Sequence, residues 1–112
     1  MEKYLEDVKK YLDTTKFGIV NLKRQNELLA AYEILKRDFL VEDRENTIEL
    51  VHGALQDGSV SIRITAIDFT AYDMNAFNQV IKDASNFQIH PTADNRIRLD
   101  VMFEDVIDYY VA

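Results

Sequence analysis

Apolar residues recur at helical spacing through the first third of the chain and predict two amphipathic helices. One covers Glu2–Asp13, and the other runs from Asn21 to about Phe39 with a wider apolar stripe. Asn21 can cap the second helix, because its side-chain oxygen can accept a hydrogen bond from a backbone N–H of the first turn. The apolar connector Phe17–Val20 is a candidate edge strand.

The pair Asp57-Gly58 separates two runs, Thr47–Leu55 and Ser59–Phe69, in which apolar and polar residues alternate. A two-residue type I′ turn requires φ > 0 at both central positions, which Asp and Gly tolerate. We therefore predict a β-hairpin with this pair at its tip.

The two-residue turn also predicts a register, with Leu55 opposite Val60 and Val51 opposite Ile64. One face then collects the apolar residues Val51, Leu55, Val60, Ile62, Ile64 and Ala66, whereas a slip by one residue would turn one strand's apolar set to the other face. The second face would carry Ile48, Leu50, His52, Ala54, Ser61, Arg63, Thr65 and Ile67.

The last part of the chain predicts a helix, a second hairpin and a short terminal helix. Asp73–Ser85 has helical spacing, Phe87–Pro91 and Arg96–Phe103 read as strands, and Glu104–Ala112 has apolar residues at one-and-four spacing.

The second hairpin has a predicted register of its own, with Ile89 opposite Leu99 and Phe87 opposite Val101. Its five-residue loop contains Asp94 and Asn95, which tolerate the left-handed conformation. Pro91 cannot donate a ladder hydrogen bond, which favours a strand end or a sheet edge.

The 112 residues and this order of elements predict a single α+β domain. We expect a mainly antiparallel sheet of about four strands, built from two hairpins and covered on one face by helices. The helical part would span about 1–41 and the sheet-rich part about 47–112.

Cysteine is absent, which excludes disulfides, thiol catalysis and thiolate metal ligands. No apolar run approaches the roughly 18 residues that a membrane span needs. The first residues are charged and lack the apolar core of a secretory signal, so we expect a cytoplasmic protein without a membrane association.

Negative charge is concentrated in the second half of the chain. Residues 1–46 hold 9 basic and 10 acidic side chains, whereas residues 47–112 hold 4 and 10, which is −6 of the net −7. Such a field repels phosphate backbones, so direct nucleic-acid binding is disfavoured, and it suits a basic protein partner.

The second face of the predicted sheet is the first candidate binding site. The predicted registers set His52 beside Arg63 and His90 beside Arg98, on a surface that also holds Asp100. Arginine pairs of this kind can bind a carboxylate or another anion. The alternative is an ordinary solvated face with cross-strand pairs.

The sequence predicts no metal, cofactor or catalytic residues. The two histidines would need added carboxylates to hold zinc, and no HxxxH or HExxH spacing occurs. Neither a nucleophile motif nor a glycine-rich phosphate loop is present.

An acidic cluster followed by two tyrosines is the second candidate site. Carboxylates can steer a basic partner, and tyrosines can anchor it by burying a large ring while keeping a polar tip. The cluster and its anchors are Asp100, Glu104, Asp105, Asp108, Tyr109 and Tyr110.

We conclude from the sequence that this is a small acidic, non-enzymatic protein-interaction domain. One alternative is an acidic inhibitor or immunity-type protein that blocks a basic nucleic-acid-binding partner, and another is a small-ligand or anion-binding domain that uses the His/Arg sheet face. Self-association is also expected, because apolar residues on the second face would be exposed in a monomer. Those residues are Ile48, Leu50, Ile67 and Met102.

Overall fold

The computed structural model describes residues 2–12, 18–39, 46–52, 58–67 and 71–109, which form an α+β fold as predicted. The elements are α1 (Glu2–Leu12), β1 (Gly18–Val20), α2 (Leu22–Phe39), β2 (Thr47–His52), β3 (Val60–Ala66), α3 (Ala71–Ile81), β4 (Asn86–Pro91), β5 (Ile97–Phe103) and β6 (Ile107–Tyr109).

Four of the described strands form an antiparallel sheet in the order β2-β3-β5-β4, and β1 pairs with β6 separately. The central strands β3 and β5 are buried at alternate positions, and helix residues join them in one apolar cluster. The helices therefore cover one face of the sheet, as predicted. Major members of the cluster are Val8, Leu12, Leu28, Leu35, Ile62, Ile64, Phe77, Val80, Leu99, Val101 and Phe103.

The N-terminus of α2 is capped as the sequence predicts. Asn21 Oδ1 accepts hydrogen bonds from Lys23 N at 3.2 Å and from Arg24 N at 3.4 Å. These bonds satisfy N–H groups that have no partner within the helix itself, so the helix begins at Leu22.

The predicted register of the first hairpin is wrong by three residues. Val60 lies opposite His52, not Leu55, a register that a two-residue turn at Asp57-Gly58 cannot produce. Asp57 and Leu55 themselves lie outside the described residues.

Because the register is shifted by an odd number of residues, the two faces of β2 are reversed relative to the prediction. Val51 lies opposite Ser61 instead of Ile64, whereas Ile48 lies opposite Ile64. Ile48 and Leu50 consequently pack against the core and do not form an exposed apolar surface on the second face.

Gly58 explains why the local turn signal failed. Its φ is +86°, as a hairpin turn would require, but its carbonyl oxygen accepts hydrogen bonds from Val106 N and Ile107 N, each at 3.0 Å. Glycine is therefore needed here for contact with a segment that is distant in the chain. The turn preference of Asp-Gly reflects only the neighbouring residues and does not predict that contact.

The second hairpin has the predicted register, with Ile89 opposite Leu99 and Phe87 opposite Val101. Its connection spans residues 92–96, where Asn95 takes the left-handed conformation with φ 63°. Among the described residues, β4 has a neighbour on one side only, so it is an edge strand that ends at Pro91.

The prediction of a terminal helix over Glu104–Ala112 is wrong, because Ile107–Tyr109 form β6. Asp105 has φ 58°, which interrupts any helix, and Val20 pairs with Ile107 across the two strands. One-and-four spacing in so short a segment also fits a buried strand, and contact with β1 decides between them. Residues 110–112 lie outside the described part of the chain.

The third helix begins two residues earlier and ends four residues earlier than predicted, at Ala71 and Ile81. Ser85 lies beyond its end and donates its backbone N–H to Met102 O at 2.8 Å, which starts the pairing of β4 with β5. Asp73 in the first turn is fully buried, and Met74 is exposed.

Candidate functional site

The sheet face that points away from the helices, called the outer face below, carries polar side chains in cross-strand rows. Directly opposed residues of antiparallel strands point to the same side, so the rows follow from the register. From β2 to β4 one row is Thr47, Thr65, Arg98 and His90, the next is Glu49, Arg63, Asp100 and Gln88, and the third is Val51, Ser61, Met102 and Asn86.

Asp100 lies at the centre of this face and contacts two arginines. Arg63 Nε donates a hydrogen bond to Asp100 Oδ1 at 2.9 Å, and Arg98 Nε lies 3.6 Å from Asp100 Oδ2. The hydrogen bond to Asp100 raises the pKa of the Arg63 guanidinium. Both arginines thus already have a carboxylate partner, which leaves less charge for an external anion than the sequence alone indicates.

His90 lies opposite Arg98, as predicted, and its Nε2 is 3.0 Å from Gln88 Oε1. The predicted pairing of His52 with Arg63 is wrong, because the shifted register sets Glu49 opposite Arg63. The two candidate His/Arg pairs are therefore reduced to one.

His52 lies on the helix side of the sheet and stacks on Tyr11, with ring centroids 4.5 Å apart and an angle of 19° between the planes. Its Nδ1 is buried and has no hydrogen-bond partner within the described structure. Burial lowers the pKa of His52, so the neutral imidazole is favoured. This histidine belongs to the packing of α1 against β2.

Of the predicted acidic cluster, the described side chain of Asp100 lies apart from those of Glu104 and Asp105. Asp100 is bound to arginine on the outer face, whereas Glu104 and Asp105 are exposed in the turn between β5 and β6. Asp108 and Tyr109 contribute backbone to β6. Tyr110 lies outside the described residues.

Arg24 organises the same turn, and sequence reasoning missed it. Its Nε donates to Glu104 O at 2.8 Å, and its two terminal nitrogens donate to Asp83 O at 3.1 Å and to Ser85 Oγ at 2.9 Å. A further hydrogen bond of 2.5 Å reaches Glu27. One guanidinium thereby joins α2 to the segments that precede β4 and follow β5.

The Arg24 contacts carry no local signal, because its partners Asp83 and Glu104 are 59 and 80 positions away in the chain. Ser85 adds to the junction by accepting a hydrogen bond from Glu104 N at 2.9 Å. The Arg24 guanidinium also lies over the Phe103 ring, 5.3 Å from its centroid. A sequence pattern on α2 alone shows only an ordinary basic residue.

The edge strand β4 is the most exposed strand of the sheet. Phe87 and Ile89 lie on the helix side of the sheet, yet 46% and 55% of their surfaces are accessible. Phe87 makes an edge-to-face contact with Phe77 of α3, with centroids 5.5 Å apart. Exposed apolar side chains on an edge strand are typical of a surface that binds another protein.

The outward-facing backbone groups of β4 follow from its register with β5 and from one hydrogen bond at its end. Thr92 stands opposite Arg96 when the register is continued and donates its N–H to Arg96 O, which fixes the even-numbered residues of β4 as the ones bonded to β5. Phe87, Ile89 and Pro91 therefore point their backbone groups away from the sheet. Asn86 Oδ1 accepts the outward N–H of Phe87 at 2.8 Å.

Cavities are present on both sides of the described structure. One of about 130 Å³ opens on the outer face beside β4, and one of about 300 Å³ lies between α1 and α2. Their lining residues are Ser61, Asn86, Phe87, Gln88, Asp100 and Met102 for the first, and Tyr4, Glu33, Ile34 and Arg37 for the second.

Within the described ranges, no group of three or more histidine, aspartate or glutamate side chains is arranged to hold a metal ion. None of the helices that the structure describes is long and apolar enough to cross a lipid bilayer. Comparison with protein families, with curated proteins and with solved structures found no match for this chain.

Proposed function

We propose that this protein is a non-enzymatic protein-interaction domain that binds by adding a strand to the free edge of β4. The observation that carries the proposal is the combination of outward backbone groups with the exposed side chains of Phe87 and Ile89 on that edge. Main-chain hydrogen bonds supply affinity in strand addition, and pockets or apolar contacts for alternate side chains supply specificity.

The edge also has little of the usual protection against pairing at its middle positions. Natural edge strands are commonly blunted by lysine, by proline or by a bulge. None of the six residues of β4 has a formal charge, and its proline stands at the last position. A partner strand that approaches Phe87 and Ile89 meets no charged side chain on β4.

The test compares capture of proteins from cell extract by the wild type, by Ile89→Lys and by Ile67→Lys. Ile67 is a matched control, because it is also an exposed isoleucine, at 50%, but follows β3. We expect a partner that Ile67→Lys retains and Ile89→Lys loses, and whose complex slows amide hydrogen exchange at Phe87 and Ile89. Equal capture by both variants, without that protection, would refute strand addition at β4.

The acidic turn at Glu104 and Asp105 favours a second candidate, the inhibitor of a basic protein. Both side chains are exposed, and Arg24 and Ser85 hold the backbone of Glu104 in place. Charges of this kind act mainly on association rate and are screened beyond about 8 Å at physiological salt. The double substitution Glu104→Gln and Asp105→Asn should slow association with a captured basic partner, most strongly at low salt.

A further inference from the structure

The free edge of β4 offers a limited and asymmetric set of backbone hydrogen-bonding groups. Phe87 and Ile89 each present an N–H and a C=O outward, whereas Pro91 presents only a C=O because proline has no N–H. A strand added at this edge must therefore place its own donors and acceptors opposite Phe87 and Ile89, and it gains little beyond them.

The β4 strand of a second copy can pair with these backbone groups when it runs antiparallel and the two-fold axis that relates the copies passes through Gln88. Phe87 of one copy then faces Ile89 of the other, and each such pair exchanges two N–H···O=C bonds. The four outward N–H groups of the two strands all find acceptors. An axis through Ile89 would instead place Phe87 opposite Pro91, which cannot donate in return.

The side chains fit the same register. On the helix side Phe87 meets Ile89 of the second copy, a pair of aromatic and β-branched residues that stabilises strand pairing. On the outer face Gln88 meets its own copy, and Asn86 meets His90 of the second copy. Although the chain carries a net charge of −7, none of these opposed residues has a formal charge, so no like charges oppose each other.

On these observations, and resting on the proposed function of strand addition, we propose that the strand added at β4 is β4 of a second copy of this chain. The two four-stranded sheets then become one continuous antiparallel sheet across the two-fold axis. The hydrogen bond between Asn86 Oδ1 and Phe87 N competes with this pairing and weakens the dimer, so we expect dimer to form only at high protein concentration.

Cysteine cross-linking tests the register, because the chain contains no other cysteine. In Gln88→Cys the two sulfurs flank the axis, where opposed Cα atoms of a non-hydrogen-bonded pair are about 4.5 Å apart, within the range of a disulfide. In the control His90→Cys, the two cysteines are four positions out of register, about 13 Å apart, and cannot be joined.

Under mild oxidation we expect Gln88→Cys to form covalent dimer at least about tenfold faster than His90→Cys, because pairing raises the effective thiol concentration. Adding Ile89→Lys to Gln88→Cys should remove that advantage. Equal rates for the two single-cysteine variants would show random collision and would overturn the proposal.

Sedimentation velocity of the unmodified chain provides an independent measurement that needs no variant. The average mass should rise toward that of a dimer between about 10 µM and about 1 mM, as mass action requires for a weak pair. A constant monomer mass over this range would overturn the second copy as the occupant. It would leave strand addition intact if Ile89→Lys still abolishes capture of a different protein, so the two proposals fail separately.

Discussion

Gly58 lies so close to Ile107 that a Cβ atom at position 58 would stand 2.1 Å from the Ile107 carbonyl oxygen. Two properties of glycine are therefore used at this position, its tolerance of φ +86° and its lack of a side chain. The contact ties the start of β3 to the start of β6, since Gly58 O also accepts two N–H groups there.

Gly58→Ala is expected to destabilise the fold by on the order of 2 kcal/mol or more, because strain in φ adds to the steric conflict. The free energy of unfolding from urea titration measures the effect. Asn95→Ala is the matched control, since Asn95 also has positive φ but already accommodates a Cβ. It should lose only about 1 kcal/mol. Equal losses would mean that the approach to Ile107 contributes nothing.

The two hairpins show which parts of this fold a sequence can reveal. The register of the second hairpin was predicted because its determinants are local: alternation along both strands, the permissive Asn95 in the loop and Pro91 at the edge. The predicted register of the first hairpin was wrong because the conformation at Gly58 depends on its contact with Ile107, 49 positions further along the chain. A rule based on the residues of the turn alone does not include that contact.

The same distinction applies to the candidate site. The His90–Arg98 pair was predicted from the correct register of the second hairpin, and the His52–Arg63 pair was lost with the first. The exposure of Phe87 and Ile89 was not predicted. How far the helices extend over the side of the sheet on which these residues lie depends on the packing of α3, which no local pattern contains.

Arg24→Lys tests the junction at the ends of β4 and β5. Lysine keeps the charge but lacks the planar fork that reaches Glu104, Asp83 and Ser85 together, so we expect a loss of about 2 kcal/mol in unfolding free energy. Arg37→Lys on the same helix is the control, because the Arg37 side chain is 67% exposed and should change stability by less than about 0.5 kcal/mol.

If the Arg24 contacts do not contribute to stability, Arg24→Lys and Arg37→Lys should lower the free energy of unfolding equally. Amide hydrogen exchange locates the effect, since the Arg24 variant should speed exchange at Ser85 and Glu104 before it affects β3.

Asp100→Asn should convert the outer face into an anion site. The substitution leaves Arg63 and Arg98 without their shared carboxylate and should destabilise the protein by roughly 1–3 kcal/mol, since two guanidinium groups lose a charged partner. Added phosphate should then raise the melting temperature of the variant more than that of the wild type. A wild type that responds as strongly would instead favour the anion-binding function.

The pH dependence of stability should report His52. Burial lowers the pKa of His52 below its ordinary value of 6.5, so the folded protein binds fewer protons than the unfolded chain once the pH falls below that value. The stabilisation by neutral His52 is therefore complete above pH 6.5, and it is lost progressively as the pH falls from there through the lower pKa of the folded state.

His52→Phe keeps a flat ring against Tyr11 but cannot be protonated. We expect its melting temperature to fall less than that of the wild type between about pH 7.5 and pH 5. His90→Asn, which leaves His52 in place, should retain the wild-type dependence. A wild-type slope in His52→Phe would show that protonation of His52 is not linked to folding.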